Sequence, residues 1–164
     1  MKSIKCVAVG DECVGKTCLL KTFVDNSYPH DLVPPTVLDE YKAVISVDDS
    51  DYEVNLFDTS GMEAYDRLRP FSYPMTWVPE VRHHCKDTPI ILVGTKVDAR
   101  EFSDRSEIVK NQQGRRLKKL VGARYYVECS AQTKMGIVEV FQDAVRAAIA
   151  PPVKQHGNGR CKLL

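Results

Sequence analysis

The chain has 164 residues, with 23 Lys and Arg, 22 Asp and Glu, and a net charge of +1. This length fits one domain, and a hydrophobic fraction of 43% excludes a disordered chain. The balanced charge argues against a dedicated nucleic-acid-binding protein, because such proteins usually carry a large basic excess. The apolar runs are too short for a transmembrane helix, and the six scattered cysteines predict reduced thiols in the cytosol.

Strands and helices alternate along the chain. In chain order, the predicted elements are strand 4–9, helix 15–25, strands 41–47 and 52–57 joined as a hairpin, strand 90–94, helix 113–121, strand 125–129 and helix 137–148. The strands are short and apolar, which is typical of strands that are buried on both faces. The pattern therefore predicts an α/β fold in three layers, with a mostly parallel sheet between two layers of helices.

A glycine-rich loop joins the first strand to the first helix. The segment from Gly10 to Thr17 fits the pattern G-x-x-x-x-G-K-[ST], in the strand–loop–helix context that the pattern requires. Its backbone N–H groups and the helix N-terminus can bind phosphates, while Lys16 adds a positive charge and the Thr17 hydroxyl can bind Mg²⁺. The predicted phosphate-binding residues are Gly10, Asp11, Glu12, Cys13, Val14, Gly15, Lys16, Thr17 and Cys18.

Two later segments predict that the base is guanine. Strand 90–94 leads into Thr95, Lys96 and then Asp98, whose carboxylate can accept hydrogen bonds from guanine N1–H and N2–H₂. Adenine presents an acceptor at N1 and would leave that carboxylate unpaired. The aliphatic part of Lys96 can pack over the base. Strand 125–129 leads into three residues whose backbone can meet guanine O6: Ser130, Ala131 and Gln132.

With these motifs, the sequence resembles the Ras-like small GTPases, and among them the Rho family and its Rac-like subgroup. The segments that carry the subgroup resemblance are Arg67–Pro70, Ser72–Pro74, Pro79–Cys85 and Thr88–Lys96. The resemblance implies a P-loop NTPase fold, with a GTP-binding domain at 1–150 and a flexible tail at 151–164. It implies a GTP/GDP switch in signal transduction that acts on the actin cytoskeleton and cell shape.

The resemblance also implies roles for individual residues. Thr36 would join Thr17 as a Mg²⁺ ligand, and Asp58 would hold the ion through water. The Gly61 N–H would meet the γ-phosphate, and Tyr28 would lie against guanine. The implied partners are exchange factors, GTPase-activating proteins, a dissociation inhibitor and effectors. The implied effector segment is Val37, Leu38, Asp39, Glu40 and Tyr41.

The last four residues, Cys161 to Leu164, fit a prenylation box of the geranylgeranyl type. The preceding residues 151–160 contain only two cations, and one lipid chain alone gives marginal, reversible anchoring. We therefore expect a cytoplasmic protein that is peripheral at the plasma membrane when prenylated. A separate basic helix face is interpreted as solvated, with membrane contact as an alternative; it carries Arg115, Arg116, Lys118 and Lys119.

Two substitutions depart from the family at the reaction centre. Met62 stands where the family has the glutamine that orients the attacking water, and a thioether cannot donate a hydrogen bond. Glu12 replaces a glycine beside the γ-phosphate, where an activating arginine would enter, unless its side chain points to solvent. We expect very slow hydrolysis that activating proteins do not stimulate. The alternative is an interaction protein that does not cycle and sequesters effectors or exchange factors.

The spacing of the motifs reveals missing residues. Asp58 and Asp98 are 40 positions apart, against about 60 in the family, with the gap after Met75 and Thr76. A central strand is therefore absent, which predicts five strands rather than six. If strand 90–94 moves beside strand 4–9, the guanine motifs shift by about 4.8 Å, and we expect impaired nucleotide binding. The alternative is an unstable domain, from a splice form or an imperfect gene model.

Overall fold

The computed structural model describes residues 1–31, 33–61, 73–104 and 108–151. These residues form five strands and four α-helices, with one short 3₁₀ helix at Val97–Glu101. The strands are β1 (Lys2–Ala8), β2 (Leu38–Val47), β3 (Ser50–Thr59), β4 (Ile91–Gly94) and β5 (Tyr125–Glu128). The helices are α1 (Lys16–Asp25), α2 (Tyr73–His84), α3 (Asn111–Val121) and α4 (Ile137–Ile149).

The first sheet contains β1, β3 and β2 in that order. Strands β2 and β3 form the predicted antiparallel hairpin, and its turn is made by Asp48 and Asp49 in left-handed backbone conformations. Strand β1 pairs with β3 in parallel, with Ala8 opposite Asp58. Because parallel strands end at the same edge of a sheet, this register brings the loop after β1 next to Asp58.

The second sheet contains only β4 and β5, which are parallel, with Gly94 opposite Glu128. The pairing continues past the strands, because the Cys129 N–H donates to the Gly94 carbonyl at 2.8 Å and the Val97 N–H donates to the Cys129 carbonyl at 3.2 Å. The segments that follow β4 and β5 are therefore held side by side.

The five described strands do not form the expected single five-stranded sheet. Strand β1 pairs with β3 and strand β4 pairs with β5, and no ladder joins β1 to β4 in the described residues. The two sheets instead share one apolar core beneath α4, in which Phe141 and Val145 are almost completely buried. Phe23 of α1 stacks on Phe141, with the ring centroids 3.9 Å apart. Burial of apolar side chains in this core, rather than pairing between β1 and β4, therefore holds the two sheets together.

Helix α2 ends at His84, and its last two residues, His83 and His84, are exposed, as is Cys85, which follows the helix. Arg82 joins this helix to its surroundings by donating to the carbonyls of Thr88 at 3.2 Å and Gly122 at 3.1 Å. No helix in the described ranges is both long enough and apolar enough to span a bilayer.

Candidate nucleotide-binding site

The loop after β1 wraps around the ammonium group of Lys16. This nitrogen donates to the carbonyls of Gly10 and Asp11, both at 2.8 Å. Gly10 and Gly15 have φ angles of +150° and +96°, which glycine adopts without steric strain. Gly15 immediately precedes α1, so the loop ends at a helix N-terminus, where the backbone N–H groups favour an anion.

The charge state of Lys16 also favours an anionic ligand. Burial lowers the pKa of Lys16 below its ordinary value, while the carboxylates of Asp58 and Asp11 act in the opposite direction. A half-buried ammonium group is stabilised by any further negative charge that comes close to it. Phosphate oxygens in this loop would supply that charge.

Three oxygen-bearing side chains from separate segments meet beside Lys16. The hydroxyls of Thr17 and Thr36 are 2.7 Å apart, and they donate to Asp58 Oδ2 at 2.5 Å and 3.3 Å respectively. Asp58 is completely buried, and its Oδ1 atom has no hydrogen-bond partner in the described residues. Mg²⁺ prefers such hard oxygen ligands, and an unpaired buried carboxylate oxygen calls for a cation or water. The residues present therefore fit a Mg²⁺ ion.

This cluster leads to a prediction. Replacing Thr17 by alanine removes one of the three converging oxygens, so we expect the Mg²⁺ concentration needed for tight nucleotide binding to rise about 10–100-fold. Thr88→Ala, at an exposed position away from the cluster, is the matched control and should leave that concentration unchanged. A Mg²⁺ titration of nucleotide release measures both variants, and an unchanged Mg²⁺ requirement in Thr17→Ala contradicts the assignment.

Gly61 lies against the phosphate loop. A side chain at this position would collide with the backbone of Asp11 and Glu12, so only glycine fits. Two hydrogen bonds hold the neighbouring residues: the Thr59 hydroxyl donates to the Ala8 carbonyl at 2.7 Å, and the Ser60 N–H donates to the Val37 carbonyl at 3.3 Å. The segments around Thr36 and Gly61 are therefore connected, and both are close to the loop.

The segment after β4 contacts the phosphate loop directly. The Thr95 hydroxyl donates to the Val14 carbonyl at 2.6 Å, and the Lys96 ammonium group donates to the Cys13 carbonyl at 2.5 Å. Strand β4 does not pair with β1 in the described residues, so the pairing from which a displacement by one strand spacing was expected is not present. The short second sheet lies on the shared core, and this position brings the end of β4 to the loop without any pairing between β4 and β1.

The side chains expected around the base lie near one another. Burial raises the pKa of Tyr28 above its ordinary value, and nearby Cys18 and Asp98 raise it further. Asp98 itself is half-buried in the first turn of the 3₁₀ helix. Ser130 is fully buried and holds its own loop, because its N–H donates to the Met135 carbonyl at 2.9 Å and its hydroxyl accepts from the Thr133 N–H at 3.1 Å. Half-buried Ala131 and exposed Gln132 follow it.

An ion pair next to the two segments that are expected to bind the guanine base was not predicted from the sequence. Arg100 donates to both carboxylate oxygens of Glu128, at 3.0 Å and 2.5 Å, and the Tyr126 hydroxyl donates to the same carboxylate at 2.7 Å. The Arg100 guanidinium, followed by the Tyr126 hydroxyl, lowers the pKa of Glu128 to about 2. The only signal in the sequence is that Arg100 lies two residues after Asp98 and Glu128 two residues before Ser130.

This ion pair leads to a prediction about stability and pH. Because the folded pKa of Glu128 is about 2, below the ordinary 4.5, the stabilisation is complete above pH ~4.5 and is lost as pH falls toward ~2. Glu128→Gln should lower the free energy of unfolding by about 1–2 kcal/mol at pH 7. Urea unfolding should show this difference shrinking in acid, while the exposed control Glu101→Gln should show none. Equal effects of both substitutions would disprove the role of the pair.

The remaining predicted residues are either on the surface or outside the described residues. Val37 and Leu38, at the start of the effector segment, are 86% and 62% exposed. Val37 precedes the outer strand β2, which begins at Leu38 and on which Asp39 and Glu40 are also exposed. Tyr41 is half-buried, and burial together with Asp39 raises its pKa to about 12. Glu12 is exposed at the loop. Met62 and Cys161 lie outside the described residues.

A comparison with protein-family models agrees with this geometry. The Ras family model matches two segments of the chain, residues 5–76 and 71–150. The chain belongs to the Ras family of small GTPases. The two matched segments meet where the motif spacing indicates missing residues. Membership in the Ras family makes the chain a GTP-binding switch of the P-loop GTPase fold, and such switches bind guanine nucleotide with Mg²⁺ and act with regulators and effectors.

Proposed function

We propose that this Ras-family protein is a Rho-type, Rac-like switch that binds GTP and GDP with Mg²⁺ in spite of its missing residues. The observation that carries the proposal is the contact of Thr95 and Lys96 with the carbonyls of Val14 and Cys13. These contacts bring the base segment to the phosphate loop without a ladder between β1 and β4. They favour retained nucleotide binding over the impairment that the missing residues led us to expect.

Residues of the candidate site could bind each part of the nucleotide. Lys16 and the loop backbone would bind the phosphates, and Asp98 would accept from the guanine edge while Tyr28 lies against the ring. Thr17, Thr36 and Asp58 would hold Mg²⁺, which when bound neutralises charge on the phosphates. Lys16 donates two of its three N–H groups to loop carbonyls, so one remains available to donate to a phosphate oxygen.

Competition binding with a fluorescent GDP analogue tests the proposal. Unlabelled GTP and GDP should displace the analogue at least about 100-fold better than ATP, because adenine leaves the half-buried carboxylate of Asp98 unpaired. Chelation of Mg²⁺ should accelerate release. Equal displacement by ATP would show that the segment after β4 does not recognise guanine.

We propose that hydrolysis of GTP is very slow in this chain. Met62 cannot orient the attacking water by donating a hydrogen bond. Glu12 is exposed beside the loop, and a carboxylate there would disfavour the charge of a triphosphate and obstruct an activating arginine, which approaches from solvent. A protein with these two residues would remain in the GTP-bound state for long periods after exchange.

The second candidate function is an interaction protein that does not cycle and sequesters effectors or exchange factors. It is favoured by the exposed effector segment, in which Val37 directly precedes, and Leu38 begins, the outer strand of the hairpin. An effector-binding assay separates the two candidates. A switch binds an effector of Rac-like proteins much more tightly when loaded with GTP than with GDP, whereas a sequestering protein binds equally in both states.

We further propose that residues 1–150 form the GTP-binding domain and that the tail 151–164 carries a geranylgeranyl group on Cys161. The protein would then be cytoplasmic and peripheral at the plasma membrane. Incubation with geranylgeranyltransferase and mass measurement tests this proposal: Cys161→Ser should remain unmodified, while Cys85→Ser, at an exposed position, should be modified like the original chain.

A further inference from the structure

Helix α3 is the most basic element of the described chain. Its eleven residues, from Asn111 to Val121, include four cations and no carboxylate. The net charge of the whole chain is only +1. The other 19 Lys and Arg are outnumbered by the 22 Asp and Glu, so the chain outside α3 has a net charge of −3 and the excess positive charge lies on this helix. A local patch of this kind matters more for binding than the total charge.

The two sides of α3 have different environments. Gly114 is buried, and a side chain there would overlap the ring of Tyr126. Leu117 and Val121, three and seven residues later, share that inner side and are half-buried. The opposite side presents Arg115, Arg116 and Lys119, all exposed, and we call these three residues the basic stripe. Leu120 lies beside the stripe and is 73% exposed.

The basic stripe is not neutralised by its surroundings. Arg115 donates to the side-chain oxygen of Asn111 at 2.7 Å, a neutral group. In the part of the chain that the structure describes, none of the three cations pairs with a carboxylate. The stripe thus combines three positive charges that have no carboxylate partner among the described residues with an exposed leucine. This is the composition of a helix face that rests on an anionic lipid surface.

The tail leaves the domain close to the end of α3. Arg124, two residues after the helix-ending Gly122, donates to the carbonyls of Ala147 at 2.8 Å and Pro151 at 2.6 Å. Cys161 lies ten residues beyond Pro151, so an extended tail reaches ~33 Å. The basic stripe, on a helix about 16 Å long, is within that reach of a lipid anchored through Cys161.

We propose that the basic stripe docks on the anionic surface of a lipid bilayer and strengthens the weak anchoring given by the tail. Its biological purpose rests on the proposed prenylation of Cys161, but the docking itself needs no lipid on the protein. Each basic residue near an anionic surface strengthens binding about fivefold, so three strengthen it about 100-fold. Leu120 enters the headgroup region beside them. Binding weakens as salt rises, because salt screens the attraction.

Vesicle sedimentation with the unmodified full chain tests this proposal. The chain should bind vesicles of phosphatidylcholine and phosphatidylserine at 0.1 M salt about 100-fold better than vesicles of phosphatidylcholine alone. Combining Arg115→Gln, Arg116→Gln and Lys119→Gln should remove that preference. The matched control combines Lys2→Gln, Lys42→Gln and Lys86→Gln at exposed positions elsewhere, and it should keep the preference. Leu120→Ser should weaken binding severalfold and leave the preference for phosphatidylserine.

Three results would overturn the proposal: equal binding to both vesicles by the original chain, an unchanged preference in the stripe variant, or an equal loss in the control. Tighter binding to a single-stranded RNA than to the anionic vesicles would also overturn it. Melting temperature and GDP binding of each variant show whether it is folded. Failure to bind GDP in the original chain would contradict the proposed switch, while the vesicle result would still decide the role of the stripe.

Discussion

Replacing Asp98 by asparagine is expected to weaken GDP binding at least about 100-fold, equivalent to about 3 kcal/mol. The half-buried carboxylate accepts two hydrogen bonds from guanine in the proposed complex, whereas an amide offers one acceptor and one donor. The same amide can donate to the O2 carbonyl of xanthine, so xanthosine diphosphate should bind the variant better than GDP does. Competition with a fluorescent nucleotide gives both affinities.

The control for this substitution is Asp104→Asn, which changes an exposed carboxylate six residues further along the chain. It should bind GDP like the original chain and should not bind xanthosine diphosphate. If Asp98→Asn keeps full affinity for GDP, then Asp98 does not contact the base. The proposal that Thr95 to Asp98 forms the guanine-recognition segment would then be wrong.

Restoring glutamine at Met62, together with Glu12→Gly, is expected to increase GTP hydrolysis stimulated by a GTPase-activating protein by about 10³-fold or more. The glutamine amide can orient the attacking water, which a thioether cannot do. Removing the Glu12 side chain clears the edge of the loop for the arginine that the activating protein supplies. Single-turnover hydrolysis, with and without an activating protein for Rac-like GTPases, measures the effect.

A matched control exists for the methionine. Met135→Gln makes the same chemical change at a side chain that is 54% exposed in the loop after β5, and it should leave hydrolysis at its original rate. The single variants show which of Glu12 and Met62 is limiting. Fast stimulated hydrolysis in the original chain would contradict the proposed slow turnover at once.

Local motifs predicted more of this fold than motif spacing did. The strand, loop and helix around Gly10–Thr17 and the hairpin of β2 and β3 depend on neighbouring residues, and the structure has both. The two-sheet arrangement depends on the core beneath α4, in which Phe141 and Val145 pack with residues far away in sequence. Spacing between motifs reveals how many residues are missing, but it does not reveal which surfaces pack together in their absence.

The candidate site, like the fold, could be predicted only in part from the sequence. The grouping of Thr17, Thr36 and Asp58 follows from family roles, and the structure brings their oxygens together. The ion pair of Arg100 and Glu128 joins the 3₁₀ helix after β4 to strand β5 across 28 positions of sequence, and no periodic pattern links the two residues. It is visible only once β4 and β5 are known to be parallel and in register at Gly94 and Glu128.

We propose that a guanine-nucleotide site forms in this chain although β1 and β4 do not pair in the described residues. The most direct measurement is the nucleotide content of the full chain purified in Mg²⁺, released by denaturation and separated by chromatography. We expect about one guanine nucleotide per chain, which chelation of Mg²⁺ before purification removes. A folded chain that carries no nucleotide, and takes up neither GDP nor GTP when Mg²⁺ is present, would contradict it.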